Sequence, residues 1–196
     1  MNIVHIKALN IMNTVVTSRE DILKASRRLV QEGTAEGISI RSVAAACGVS
    51  VGSIYNYFQS KTDLVVATVE SIWADMFHTP AEDRVLCSLE LYISWLFQRF
   101  QYGDKMYPGF FGLHALSFSE KEKKAGRQRM ENLWHHIEMG LLQVIRKDKD
   151  IRESVFSETF TPKDFAHLIF MYMISSLVLR DYDCSKLLES IRRIVS

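Results

Sequence analysis

Apolar positions recur every three to four residues over residues 18–32, where Ile22, Leu23, Ser26, Leu29 and Val30 share one helical face and Arg19, Lys24, Arg27, Arg28 and Gln31 lie outside it. The pattern predicts an amphipathic helix, opened by Thr17 with Glu20 or by Ser18 with Asp21 and stopped at Gly33. Two short segments follow. Ser39 caps Ile40 to Cys47, which turns Val43, Ala44 and Cys47 inward and ends at Gly48; Ser50 then caps a segment through Tyr57. Ser60 with Asp63 opens a longer helix through about Phe77. Helices of under about ten residues are not stable alone, so the two short ones must pack at an angle on the first. Ala44, Ala45 and Ala46 permit close approach. This is the layout of a helix-turn-helix; on pattern alone, a plain helical hairpin with a glycine turn also fits.

Beyond Phe77 the chain again reads as helices. Val85, Leu86, Leu89, Ile93, Leu96, Phe97 and Phe100 form one stripe over residues 82–101, and MYPGFFGLHALSF reads as a loop leading into a short aromatic helix. Ser119 with Glu122 opens a long helix to about Lys147, followed by a polar linker. Thr161-Pro162-Lys163-Asp164 is a strong helix start, with a hydroxyl cap, proline in the first turn and an acid against the helix dipole. From Phe165 to Leu179 that helix is apolar almost all round, which an exposed helix would not tolerate. The terminal SKLLESIRRIVS is amphipathic through Leu187, Leu188, Ile191 and Ile194. An all-α chain is expected: a small three-helix head over residues 1–60 and a larger helical bundle over residues 61–196.

Composition agrees with packed helices: 47% hydrophobic residues with only 3 prolines and 9 glycines. No apolar run approaches the roughly 18 residues needed to span a bilayer, and the first residues resemble no secretory leader, so a cytoplasmic protein without membrane contact is expected. Cys47, Cys87 and Cys184 are odd in number and irregularly spaced, which fits reduced thiols rather than a disulfide frame or a zinc site. The net charge of +1 conceals an asymmetry. Residues 1–61 hold seven Lys/Arg against four Asp/Glu, a net +3 that leaves −2 for the rest, and no acid lies between Gly37 and Lys61. A surface facing phosphates needs that absence of carboxylates.

The stretch ISIRSVAAACGVSVGSIYNYFQSKTDL, Ile38 to Leu64, resembles the DNA-binding signature of the tetracycline-repressor (TetR) family: a small-residue helix, Gly-Val-Ser, a Gly-Ser-hydrophobic-Tyr core, Tyr-Phe and Ser-Lys in unbroken order. The similarity covers about residues 18–77. It implies a transcription regulator, usually a repressor relieved by a small effector, rather than an enzyme.

In such a head the second short helix enters the major groove N-terminus first. Val51 can meet a thymine methyl, Gly52 admits the backbone, and Ser53 and Asn56 can hydrogen-bond bases or phosphates. Arg41 can reach a guanine edge or a phosphate. The resemblance further implies that Ser39, Ser50, Tyr55, Tyr57 and Lys61 position the backbone of the DNA. It also implies an effector pocket among the later helices. The candidates are Trp73, Phe77, Tyr92, Trp95, Phe110 and Phe111, with His114, Trp134, Met139, Phe170 and Met173, which suit an apolar or aromatic molecule. Taken singly, each of these reads first as a core residue.

The apolar helix after Thr161 has too few partners in one monomer. A homodimer is therefore expected, with Phe165, Leu168, Ile169, Tyr172, Ser176 and Leu179 joined by Leu188 and Ile191 in a four-helix interface that sets two heads on palindromic operator DNA. Material for catalysis or metal binding is thin: Glu131 and His135 share a face at helical spacing, but no third ligand stands at a fixed distance, so neither cofactor nor metal is expected. A lipid-carrying bundle would leave the acid-free segment from Gly37 to Lys61 without a purpose.

Overall fold

The computed structural model describes residues 17–33, 38–78, 85–113 and 120–195. Among these the regular structure is helical, apart from one isolated antiparallel bridge between Ser157 and Phe160. His114 and the Ser119 cap lie outside the described residues.

The first four helices are α1 (Arg19–Gln31), α2 (Ile40–Cys47), α3 (Val51–Tyr55) and α4 (Lys61–Met76). Each begins where a hydroxyl can accept a free backbone N–H. Ser18 does so for Asp21 and Ser39 for Ser42, both as reciprocal capping boxes, while Ser50 caps Ser53 and Ser60 caps Asp63. Of the two caps open for α1, Ser18 with Asp21 forms. Each cap of this kind is worth about 1 kcal/mol, which matters most for α2 and α3 because they are too short to hold themselves. Gly48 ends α2 at φ 66°, a left-handed conformation that a side chain would resist. α1 packs on α2 and α4, and α2 on α3, closing over Ile22, Val30, Val43, Ile54 and Leu64, all fully buried.

The rest comprises α5 (Leu89–Met106), α6 (Phe110–Leu113), α7 (Glu120–Lys147), α8 (Pro162–Leu179) and α9 (Ser185–Val195). α4 continues onto α5, α5 onto α7, and α7 runs along α8, with α6 wedged against α5 and α8. α4 and α5 meet closely because Gly103 lacks the Cβ that would strike the Met76 thioether. Helix α5 starts later than the stripe predicted. Val85 and Leu86 fall in a 3-10 turn, Val85–Cys87, and Leu86 is exposed. The start is fixed by Ser88, which caps Leu91, and by the Asp148 carboxylate, which accepts the Leu89 N–H at 2.7 Å from the end of α7.

α4 is held on both sides by polar links. Arg27 of α1 donates to the Ser71 hydroxyl, and the Tyr107 hydroxyl at the end of α5 donates to Asp75 at 2.7 Å. Burial, together with the Asp75 carboxylate, pushes the Tyr107 phenol well above the usual tyrosine range, so it stays a neutral donor. One helix thus ties the N-terminal head to the bundle.

Candidate nucleic-acid interface

α3 buries only Ile54, and Phe58 follows it into the core beneath the Arg19 guanidinium, 5.3 Å from the ring centre. With those two residues inward, Val51, Gly52, Tyr55, Asn56 and Tyr57 face outward, and Ser53 is half-buried. Arg41 and Lys61 stand exposed on the first turns of α2 and α4. Among the described residues neither makes an ion pair, and no carboxylate interrupts the segment between them.

The hydroxyl groups expected to hold DNA phosphates divide into two sets. Ser39 Oγ accepts the Ser42 N–H at 3.1 Å, and Ser50 Oγ accepts the Ser53 N–H at 3.1 Å while sitting 2.9 Å from Ser53 Oγ. Their oxygens shape the helix starts. Tyr57 spends its donor on the Thr17 carbonyl at 2.6 Å, tying the end of α3 to the start of α1. Tyr55, half exposed, keeps a free face. Tyr57→Phe should therefore lower stability by about 1 kcal/mol, measured by urea unfolding. Tyr55→Phe should leave stability unchanged and weaken DNA binding. The reverse pattern would exchange their roles.

Gly52 has no structural need to be glycine: an added Cβ would meet nothing closer than Ser50 Oγ at 3.7 Å, an ordinary contact. Inside a helix alanine is favoured over glycine by up to about 1 kcal/mol. Gly52→Ala should then raise or preserve the melting temperature while weakening operator binding at least about tenfold, because the added methyl stands where a base edge must come close. Unchanged operator affinity would show that the backbone there keeps its distance from DNA.

Most of the aromatic side chains expected in the bundle touch one another. Trp73 stacks on Phe77 at 6.1 Å between ring centres and meets Phe110, Phe111 and Trp134 edge-on at 5.6, 5.7 and 5.4 Å. Trp95 lies against Phe77 at 5.6 Å and Tyr92 at 5.7 Å, and Phe170 against Trp134 at 5.9 Å. Met173 is buried on α8. Met139 departs from this group: it is 44% exposed and lines an outer groove together with Tyr92.

The apolar helix α8 has two faces that its sequence did not separate. Phe165, Ile169, Ser176 and, on α9, Ile191 are buried within the chain itself. They point inward because they lie in phase with Met173 and Leu177, both buried. Outward stand Leu168, Tyr172 and Leu179, together with Met171, Ser175 and Val178. Leu188 is half-buried on α9. Among the described residues no helix is long and apolar enough to cross a membrane, and no group of His, Cys, Asp or Glu could hold a metal.

Residues 22–68 match the family model of the bacterial regulatory proteins of the tetR family. A comparison with curated proteins finds no match. Among solved structures, a candidate fatty acid metabolism regulator of Clostridium perfringens shares the fold at TM-score 0.53 and 21% identity, over 89% of this chain and 96% of that one. A TetR variant of Acinetobacter baumannii in complex with minocycline aligns at TM-score 0.51 and 18% identity, over 85% and 82%. A TetR/AcrR family regulator of Thermobifida fusca aligns at 0.53 and 18%, over 90% and 95%. At these identities the likeness speaks for the fold. Residues 22–68 thus carry the DNA-binding head of the bacterial regulatory proteins of the tetR family, and the remaining helices share the architecture of these solved regulators.

Proposed function

We propose that this regulator is a cytoplasmic repressor whose homodimer holds a palindromic operator until a small apolar or aromatic effector releases it. The reading rests above all on the acid-free outer surface of α2 and α3, where Val51, Gly52 and Asn56 are free for base edges while Arg41, Tyr55 and Lys61 are free for phosphates. The division of labour follows the chain: residues 1–60 read DNA, and residues 61–196 dimerise and take the effector, with α4 transmitting between them. Two heads about 34 to 36 Å apart would read successive major grooves.

Effector action requires a molecule that favours one conformation over another, since equal affinity for both shifts nothing. The ring cluster around Trp73 touches α4 directly, so a flat apolar molecule intruding there would displace the helix that carries the head. The Acinetobacter baumannii neighbour holds a planar polycyclic molecule, minocycline, and the same general class suits the aromatic walls here.

The test is a gel shift with the DNA upstream of the chain's own gene, over a range of salt. Saturable binding that weakens with salt is expected. Lys61→Ala should weaken every operator alike and lower the salt slope by about one unit, whereas Asn56→Ala should change sequence preference. Absence of binding at low salt would sink the proposal; an unchanged slope would remove Lys61 from the phosphate contacts.

A further inference from the structure

A half-open groove of about 610 Å³ lies on the outside of the bundle, where the Val85–Cys87 turn and the start of α5 meet the last turns of α7. That volume is in the range that holds small molecules. Leu86, Tyr92, Met139, Leu142 and Val144 give it an apolar floor; its polar lining is His136, Gln143, Arg146 and Lys147, without a carboxylate. Leu86 and Met139 remain 36% and 44% exposed there, so apolar surface is left in water.

The charges at one end are uncommitted. Among the described residues Arg146 and Lys147 make no ion pair. Basic groups in the last turn of a helix offset its dipole, but that role needs no apolar floor beside them. The neighbouring carboxylate, Asp148, is occupied with the backbone N–H groups of Leu89 and Asp150, at 2.7 and 3.0 Å. Tyr92 supplies a polar point on the floor. Its hydroxyl lies over Gly140, where any Cβ would collide with it, so the glycine is what allows the ring to lie across α7. Burial keeps that phenol protonated, and among the described residues it has no hydrogen-bond partner. From His136 to Lys147 the α7 axis advances about 16 Å, at about 1.5 Å per residue.

We propose that the groove binds an elongated apolar molecule bearing one anionic group, such as a medium-chain alkanoate. Its chain lies along Leu86, Met139 and Leu142, and its carboxylate lies at Arg146 and Lys147. The site is separate from the ring cluster around Trp73. The two are connected by the stack of Tyr92 on Trp95 and of Trp95 against Phe77, so an occupant of the groove presses on the far end of the same aromatic chain.

The probe is sodium dodecanoate below its aggregation range, titrated into the full-length protein by calorimetry. One saturable site per chain is expected, with butanoate and dodecanol each binding at least about tenfold more weakly, since each lacks one of the two halves the groove recognises. Arg146→Glu with Lys147→Glu, and separately Met139→Glu, should each weaken dodecanoate at least about tenfold. All three positions are exposed, so helical circular dichroism and ligand-free operator binding should match those of the parent protein. Vesicles of anionic phosphatidylglycerol should not be bound. No saturable dodecanoate binding, or binding that both groove variants leave unchanged, would overturn the proposal. So would binding to the vesicles in place of the free anion. Operator binding in the same preparations reports on the repressor reading independently.

Discussion

Leu168→Glu combined with Val178→Glu on the outward face of α8 should leave the chain folded but monomeric, and should weaken operator binding by at least about a thousandfold. Leu168 is 56% and Val178 77% exposed in the single chain, so neither carboxylate disturbs the monomer's own core. With Met171, Leu179 and, on α9, Ile194 they leave a wide apolar surface in water, which a soluble helix covers by pairing. If a second copy covers it, the two-fold places four carboxylates in one interface. Each unpaired buried charge costs several kcal/mol, and about 1.4 kcal/mol is a factor of ten in affinity. A lone head then reads one half of the palindrome. Sedimentation at micromolar concentration gives the mass, and a gel shift gives the affinity. A double variant that still sediments as a dimer would move the interface elsewhere; a parent protein that is monomeric with full operator affinity would remove the need for one. Cutting the chain before Thr161 would be a poorer experiment. It would strip Phe165, Ile169 and Met173 out of the chain's own core, and loss of binding would then report unfolding.

What the sequence made legible was whatever is decided locally. The caps at Ser39, Ser50, Ser60 and Thr161 and the left-handed stop at Gly48 depend on residues within four positions of one another, and they form where they were read. The outward set on α3 was legible for the same reason, since Ile54 and Phe58, four positions apart, turn in together.

What escaped was set by distant partners. Nothing near residue 89 announces that Asp148 will accept its N–H, so the start of α5 was placed too early. The hydrogen bond from the Tyr57 hydroxyl to the carbonyl of Thr17, forty residues away in the chain, has no local signal either. Helix α8 carries apolar residues on every side, so its periodicity contains no phase, and only packing against α7 decides that Phe165 and Ile169 turn in while Leu168 and Met171 turn out. The groove on α7 was hidden for the opposite reason: His136, Gln143, Arg146 and Lys147 read as the ordinary wet side of a long helix.

Trp73→Ala should be the most damaging single truncation in the bundle, while Trp134→Ala, its neighbour at 5.4 Å, should be tolerated. Trp73 is only 4% exposed, and its indole reaches from α4 to Phe100 on α5, Phe110 on α6 and Trp134 on α7. Removing it leaves a cavity among rings that cannot all collapse into the gap, at a cost of about 3–5 kcal/mol. For a chain of this size that lowers the melting temperature by roughly 6–20 °C. It also takes a large share of a total stability of about 5–15 kcal/mol. Because Trp73 lies on the helix that carries the head, operator binding should fall with stability. Trp134 is half-buried at the edge of the cluster, between Trp73 and Phe170, so its loss exposes little and loosens the contact of α7 with α8 rather than that of α4 with α1. Trp134→Ala should keep ligand-free operator affinity within about threefold of the parent, less than about 1 kcal/mol, while altering release by a flat apolar effector. Thermal melts followed by circular dichroism, with gel shifts at 25 °C, separate the two. If Trp134→Ala loses stability and operator binding as fully as Trp73→Ala does, Trp134 is core, and the effector must enter the bundle elsewhere.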